Sequence, residues 1–291
     1  MRNLCKEIGV FTPYYNVVKS EAEAKKITKK IKYPLILKPI ENQSSQGVFK
    51  IDNDKQLSYF FPLTLKHKRN HNSILIEKFI EGEEYTVEGF KVYDKHHCLA
   101  ISKKTHFSGF PTIASSLLYQ PLNQNGIFKN LIKQNDLFIE KSKLPFGITH
   151  AEYKYMDGKF YMIEVAARGG GSKISSHIVP IVSGVDVNKK LINLALGKKI
   201  KTIKVKGTGY FVLLHFFNFK PGYVLKRTSE DFINSFNFVV DFEYGFNLKD
   251  ILKNITSDSN RHAYVIIKSK IKEELELNLN IIKNLIKLKY D

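Results

Sequence analysis

The residues best suited to chemistry lie in "THAEYKYMDGKFYMIEVAARGGG", positions 149–171. Glu152 sits in one run of strand character, and Glu164 in the next, inside Tyr161-Met162-Ile163-Glu164-Val165. A carboxylate in such a strand is costly to bury without a partner. Asp157-Gly158 between the runs is a hairpin turn signal, and counting back from it sets residues 152 and 164 roughly opposite one another. Two adjacent carboxylates repel unless a cation lies between them. Hard oxygen ligands suit Mg²⁺, which takes one or two carboxylates and completes its shell with substrate phosphates. Arg168 follows at the mouth of Gly169-Gly170-Gly171, where a guanidinium can grip an anion through two parallel hydrogen bonds.

A second stretch, "YPLILKPIENQSSQGVFKI" (33–51), sets a lysine at the end of an apolar run and directly before a polar loop. Hydroxyls and backbone N–H groups of a Ser/Gly loop can wrap phosphate oxygens while Lys38 supplies a point charge. Taken alone, this stretch reads equally as a surface hairpin with a loose tip.

The elements that must position these groups follow from periodicity and punctuation. Residues 1–10 predict a helix ending near Gly9, and 20–31 a helix capped by Ser20, with Glu21 and Glu23 in its first turn and lysines later. Leu35–Leu37 and Gly47–Ile51 predict a hairpin, 52–61 a helix, and Ser73–Ile76 a strand. From Glu83 to Tyr93 strict alternation sets Glu84, Thr86 and Glu88 on one face and Tyr85 and Val87 on the other. Cys98–Ser102 extends the sheet, 124–142 predicts a helix, and Gly147–Tyr155 with Lys159–Val165 form the hairpin bearing the two glutamates. Asp186–Leu196 predicts a helix. Strands at 207–217, 238–242 and 262–267 follow, and a last helix places Ile271, Leu275, Leu279, Ile282 and Ile286 on one core-facing stripe. The expected organisation is α+β: a long unit over 1–205 and a smaller α+β unit over 206–291.

At 291 residues the chain is long enough to bury a core without staples. No apolar run approaches the ~18 residues of a membrane span, and the N-terminus has no signal-peptide h-region. Two cysteines, Cys5 and Cys98, fit a reducing cytosol and provide neither metal spacing nor a disulfide framework. The net charge of +18 raises nucleic-acid binding as a reading. The excess, however, is lysine spread along the whole chain, and the tightest clusters (26–32 and 268–274) read as solvated helix faces.

Six segments in order, "GVFTPYY", "YPLILKPIENQSSQGV", "ILIEKFIEGEEYTVEGF", "HAEYKY", "YMIEVAARGGG" and "SGVDVNKKLINLALG", make the chain resemble the ATP-grasp family of the carboxylate–amine ligase, carbamoyl-phosphate synthase and biotin carboxylase type. The resemblance covers nearly the whole chain. It implies two α+β subdomains clasping a nucleotide, with a lid subdomain at about 33–80, and a cytoplasmic enzyme using ATP with Mg²⁺, or Mn²⁺ in its place. It implies that Lys38 contacts the phosphates, that Ser44, Ser45 and Gly47 belong to a lid loop, and that Glu77, Lys78, Phe79 and Ile80 line the adenine pocket. Glu84 would hold the ribose, and Glu152 and Glu164 would bridge Mg²⁺ to the phosphates. Arg168 would stabilise the transferring phosphoryl group or bind the substrate carboxylate. Lys103, Lys104 or His106 would add a phosphate contact, with Lys104 the leading candidate. The segment 175–186 would line the acceptor end, with His177 either a substrate contact or a structural residue.

The implied reaction activates a carboxylate as an acylphosphate for attack by an amine or other nucleophile. Two departures stand out. Ala166 occupies a position where the family usually places a metal-binding Asn. The N-terminal α/β domain usual in the family is also expected to be missing. This leaves as alternatives a complete short enzyme, a split enzyme working with a partner N-terminal domain, and an ATP-binding remnant or subunit that needs a partner chain. A homodimer is a further expectation.

Overall fold

The computed structural model describes residues 1–41, 44–67, 73–122, 126–200 and 202–291. Asn42 and Gln43 of the polar loop, and the start of the helix expected from 124, lie outside the described residues. In chain order the elements begin with α1 (Arg2–Ile8), β1 (Tyr15–Val18), α2 (Glu21–Thr28), β2 (Leu35–Pro39), β3 (Phe49–Ile51), α3 (Asp54–Lys66) and β4 (Ile74–Lys78). Then come β5 (Glu83–Val92), β6 (Lys95–His106), β7 (Ala114–Gln120), α4 (Phe128–Lys141), β8 (Gly147–Met156), β9 (Lys159–Ala166), α5 (Val179–Ser183) and α6 (Val187–Ala195). The chain closes with β10 (Phe211–Phe217), β11 (Gly222–Arg227), α7 (Glu230–Asn234), β12 (Val239–Tyr244), β13 (Ile251–Leu252), β14 (Ala263–Ser269), α8 (Lys272–Leu285) and β15 (Leu288–Tyr290).

Local chemistry sets many boundaries. Ser20 accepts from the Glu23 backbone and starts α2, and Asp186 does the same for α6 through Lys189. Gly9 ends α1 in the left-handed conformation, φ 74°. The helix expected over 52–61 begins at Asp54 and runs on through Pro62 to Lys66. Its apolar residues Leu57 and Phe61 are buried against the small sheet, and that packing outweighs the proline's lost hydrogen bond.

The strands form two principal antiparallel sheets. The small one has the order β1-β4-β2-β3, with Leu35, Leu37, Ile51, Ile74 and Ile76 packed against Ala24, Leu57 and Phe61. The large one has the order β12-β14-β10-β7-β6-β5-β8-β9. β10 is hydrogen-bonded to β7, so strands from both sides of residue 205 share this sheet. A third sheet, β13-β11-β15, completes the C-terminal part, where Leu275, Leu279 and Ile282 of α8 join the core beside Val265 and Ile267.

Alternation along β5 positions the site. Tyr85 and Val87 enter the core with Phe128, Leu131 and Phe138 of α4. Glu84, Thr86 and Glu88 take the opposite face. Further along that face, Phe90 is covered by the Ile174–Val187 segment, while the Glu84 end is left as the floor of a cleft beneath the small sheet.

Candidate active site

The cleft has a volume of about 360 Å³ and is lined from both sheets: Lys38 and Glu77 from the small one, and Glu84, Lys104, Glu152 and Glu164 from the large one. On β2, Leu35 and Leu37 go into the small-sheet core, so Ile36 and Lys38 face the cleft. Lys38 Nζ lies 2.7 Å from Glu77 Oε2. Glu77 is buried, and its Oε1 accepts from Arg2 Nε at 2.8 Å.

On the floor, register creates a charge lattice. Glu84 is paired across the strands with Lys104 on β6 and Lys154 on β8. Lys104 Nζ is 2.7 Å from Glu84 Oε1, and Lys154 Nζ is 2.9 Å from Oε2. Lys104 also lies 3.1 Å from Glu152 Oε1. Glu152 is directly opposite Glu164, as the hairpin count predicts. Behind Glu152, His150 spans two carboxylates, with Nδ1 2.7 Å from Glu88 and Nε2 3.4 Å from Glu152.

These contacts set the protonation states. Burial pushes the Glu152 carboxyl up, but the Lys104 ammonium and the hydrogen bond from His150 outweigh it and hold the group well below the usual carboxylate range. Glu84 is held low in the same way, with Lys104 again the main charge working against burial. Lys104 is disfavoured as a cation by burial, yet its two carboxylates raise it overall. His150 is pulled down by burial and up by Glu88 and Glu152, reaching about 10, so it stands as an imidazolium at neutral pH. Glu164, open to solvent on one side, is pushed up first by its enclosed surroundings and then by the Glu152 charge.

Glu152 and Glu164 fit a hard divalent cation. The carboxylates face each other on adjacent strands, and the proton affinity of Glu164 is raised by the charge that a cation would neutralise. Among the described residues no group of three or more His, Cys, Asp or Glu could hold a metal. The protein's share of such a site is therefore two carboxylates, with Ala166 lying opposite His150.

Of the three candidates on β6, Lys104 and His106 line the cleft. Lys103 points to the other face, where it pairs with Glu83. Burial lowers the His106 imidazole, and it sits 3.4 Å from Glu84. Lys78 and Phe79 spend their backbone N–H groups within the protein, on Tyr14 O at 2.8 Å and Pro34 O at 3.1 Å. The Lys78 ammonium donates to Lys32 O and Tyr33 O. The Phe79 ring has Lys50 Nζ 5.0 Å and Lys154 Nζ 6.0 Å from its centroid, and the Ile80 side chain borders the cleft. Glu77, Lys78, Phe79 and Ile80 therefore form one wall.

Ser45 and Gln46 of the polar loop border the cleft. Ser44, Ser45 and Gly47 have φ of 58°, 57° and 73°. Glycine is required at 47, because a Cβ there would come within 2.8 Å of His67 Cβ. Ser45 Oγ donates to Asp258 Oδ2 at 3.2 Å, and Asp258 N donates to Ser44 O at 3.2 Å. Arg168 is exposed outside the cleft lining, its Nη1 donating to Gly169 O at 2.8 Å. His177 also stands outside the lining, 2.8 Å from Ser176 Oγ.

Three residues of this arrangement escape a reading of the sequence alone: Arg2, Lys154 and Asp258. Lys154 had a signal, since it lies two positions from Glu152 on one strand and must share its face. Arg2 and Asp258 had none, because only folding brings Arg2 to Glu77 and Asp258 to Ser45.

Residues 31–176 match the model of the ATP-grasp domain. The chain is 26% identical over 210 residues to a carbamoyl phosphate synthase large chain from Caldanaerobacter subterraneus subsp. tengcongensis, an alignment covering 70% of this chain and 19% of that protein. It is 29% identical over 175 residues to a D-alanine--D-alanine ligase from Pelagibacter ubique, covering 55% of this chain and 51% of that protein. The chain thus spans about a fifth of the synthase and half of the ligase. In fold it is similar to an L-amino acid ligase from Bacillus licheniformis, with a TM-score of 0.82, 19% identity, and coverage of 100% of this chain and 71% of that one. The domain match, set on the ordered motifs and the two-sheet cleft, shows that this chain belongs to the ATP-grasp family.

Proposed function

We propose that the chain is an ATP-dependent ligase that activates a small-molecule carboxylate as an acylphosphate and passes the acyl group to an amine or other nucleophile. The observation that carries this reading is the convergence of Lys38, Lys104 and the facing pair Glu152–Glu164 in one cleft. Facing carboxylates beside two ammonium groups suit a nucleotide triphosphate with its divalent cation. The D-alanine--D-alanine and L-amino acid ligases among the similar proteins support this reaction class.

In the reaction, a carboxylate oxygen of the acid attacks the γ-phosphorus and the bond to the ADP oxygen breaks. The amine nitrogen then attacks the acyl carbon, phosphate departs, and the nitrogen loses a proton. Lys38 and Lys104 neutralise charge on the phosphate oxygens and fix their line of approach. Glu152 and Glu164 would hold Mg²⁺, which supplies charge neutralisation between the phosphates when bound. Phe79 and Ile80 supply an apolar wall for the base, and Glu84, held ionised, is the acceptor for ribose hydroxyls. The loop at Ser44–Gly47, moving with residues 33–80 as a lid on the 1–205 unit, excludes water that would hydrolyse the acylphosphate. Arg168, on its glycine loop, is free to swing from Gly169 O to the substrate carboxylate or the transferring phosphoryl group.

Titration of the purified chain with Mg²⁺ and a non-hydrolysable ATP analogue tests the reading. Saturable 1:1 binding that Lys38→Ala abolishes is expected, followed by ADP release with a panel of amino acids and amines. Unchanged binding in both Lys38→Ala and Glu164→Gln would overturn the site. A second reading, an ATP-binding subunit that needs a partner chain, rests on Ala166 at the end of β9. It expects binding without ADP release until the partner is supplied.

A further inference from the structure

Arg2 is a buried cation outside every motif that assigns the site. Its guanidinium reaches both sheets. Toward the small sheet, Nε donates to Glu77 Oε1 at 2.8 Å, while Lys38 holds the other oxygen of the same carboxylate at 2.7 Å. Toward the large sheet, Nη2 donates to Ile163 O at 3.0 Å and Nη1 to Met162 O, on the strand that carries Glu164 one residue later. Thr12 Oγ1 completes the set as a further acceptor for Nη1.

The charge count explains what this arrangement does. Glu77 alone beside Lys38 would neutralise the ammonium and hold it away from an incoming phosphate. With Arg2 on the other oxygen, the group of three keeps one net positive charge at the cleft wall. The planar fork also fixes Glu77, and therefore Lys38, relative to the Met162–Glu164 strand. We propose that Arg2 is a positioning residue for phosphate binding: it shares the charge of Glu77, leaves Lys38 available to the nucleotide's phosphates, and fixes that lysine in relation to Glu164. This rests on the nucleotide reading of the cleft given above.

The test is calorimetric titration of wild type, Arg2→Met, Arg2→Lys, Lys38→Met and the double variant Arg2→Met/Lys38→Met. The ligands are Mg²⁺ with a non-hydrolysable ATP analogue and, separately, adenosine. Arg2→Met is expected to weaken the triphosphate by about tenfold, the scale of one lost hydrogen bond to a charged group, and adenosine by less than about twofold. Arg2→Lys keeps the charge but not the fork, and should fall between Arg2→Met and wild type; it also serves if Arg2→Met does not fold. In the Lys38→Met background the Arg2 effect should vanish. An equal loss for adenosine, or an Arg2 effect undiminished without Lys38, would mean that Arg2 merely supports the fold and would overturn the proposal. Wild-type protein that binds no nucleotide would instead remove the nucleotide reading itself, and this role with it.

Discussion

Ser45 and Asp258 lie 213 residues apart in sequence and are joined by a 3.2 Å hydrogen bond across the top of the cleft. The Asp258 carboxylate is also held by the Ala114 N–H at 2.9 Å and by Arg261 at 3.2 Å, and the Arg261 guanidinium lies 3.3 Å from the centroid of the Phe216 ring. Burial lowers the Arg261 guanidinium to about 10, with Asp258 opposing that shift. The loop is thus tied to a turn of the C-terminal part. Asp258→Ala is expected to release it at a cost of about 1–3 kcal/mol, the penalty for a buried charged partner left alone. Hydrogen exchange should show faster amide exchange at residues 44–48, while the small-sheet strands keep their protection.

Neighbouring lysines on β6 should behave oppositely. Lys104 is buried between Glu84 and Glu152, so Lys104→Met removes the ammonium they share, leaves Glu84 to Lys154 and Glu152 to His150, and should cost about 3 kcal/mol. Lys103 and its partner Glu83 are themselves exposed, at the end of the face that packs on α4, and Lys103→Met should cost less than about 1 kcal/mol. Urea unfolding of the two variants measures the contrast, and similar midpoints would show that the face assignment is wrong.

Ala166 lies at the end of β9, across from His150 and two residues after Glu164. Ala166→Asn adds an amide oxygen beside the carboxylate pair. The expected result is several-fold tighter Mn²⁺ or Mg²⁺ binding in the presence of the non-hydrolysable ATP analogue. Metal titration reads it directly, and an unchanged affinity would mean that position 166 does not reach the cation.

Acid stability should carry the signature of His215. This imidazole sits on β10 between Ser116 of β7 and Val265 of β14, edge-on to Phe217, with Lys283 of α8 as its charged neighbour. Burial, aided by Lys283, lowers it from 6.5 to about 4. A group whose folded value is depressed contributes its stability above the unfolded value and loses it as the pH falls. The chain should therefore lose about 2–3 kcal/mol between pH 6.5 and 4.5 through this residue. His215→Gln should flatten that slope in urea unfolding at pH 7, 5.5 and 4.5, and an unchanged slope would place the acid sensitivity elsewhere.

Much of the site was legible before folding because its signals are local. The turn at Asp157-Gly158 sets Glu152 opposite Glu164, and the period of two along β5 puts Glu84, Thr86 and Glu88 on one face. The Lys38 hairpin, too, is local, with Leu35 on β2 paired to Ile51 on β3. By contrast, β7 went unread: "ASSLLYQ" has little alternation and gains its pairing only from β6 and β10 on either side.

What the sequence by itself determined is therefore the inventory of groups and their local phase: which carboxylates and lysines share a strand face, and where hairpins turn. Tertiary structure decided which groups from distant segments meet. Lys104 rather than Lys103 enters the cleft because β6 has one face against α4 and the other open to the cleft. Glu77 takes Arg2 as well as Lys38, and Asp258 reaches Ser45, because sheet packing brings distant segments into contact. A local signal carries no record of a partner tens or hundreds of residues away. Such pairs are set by the burial of whole sheets, whose energy is spread over many apolar side chains.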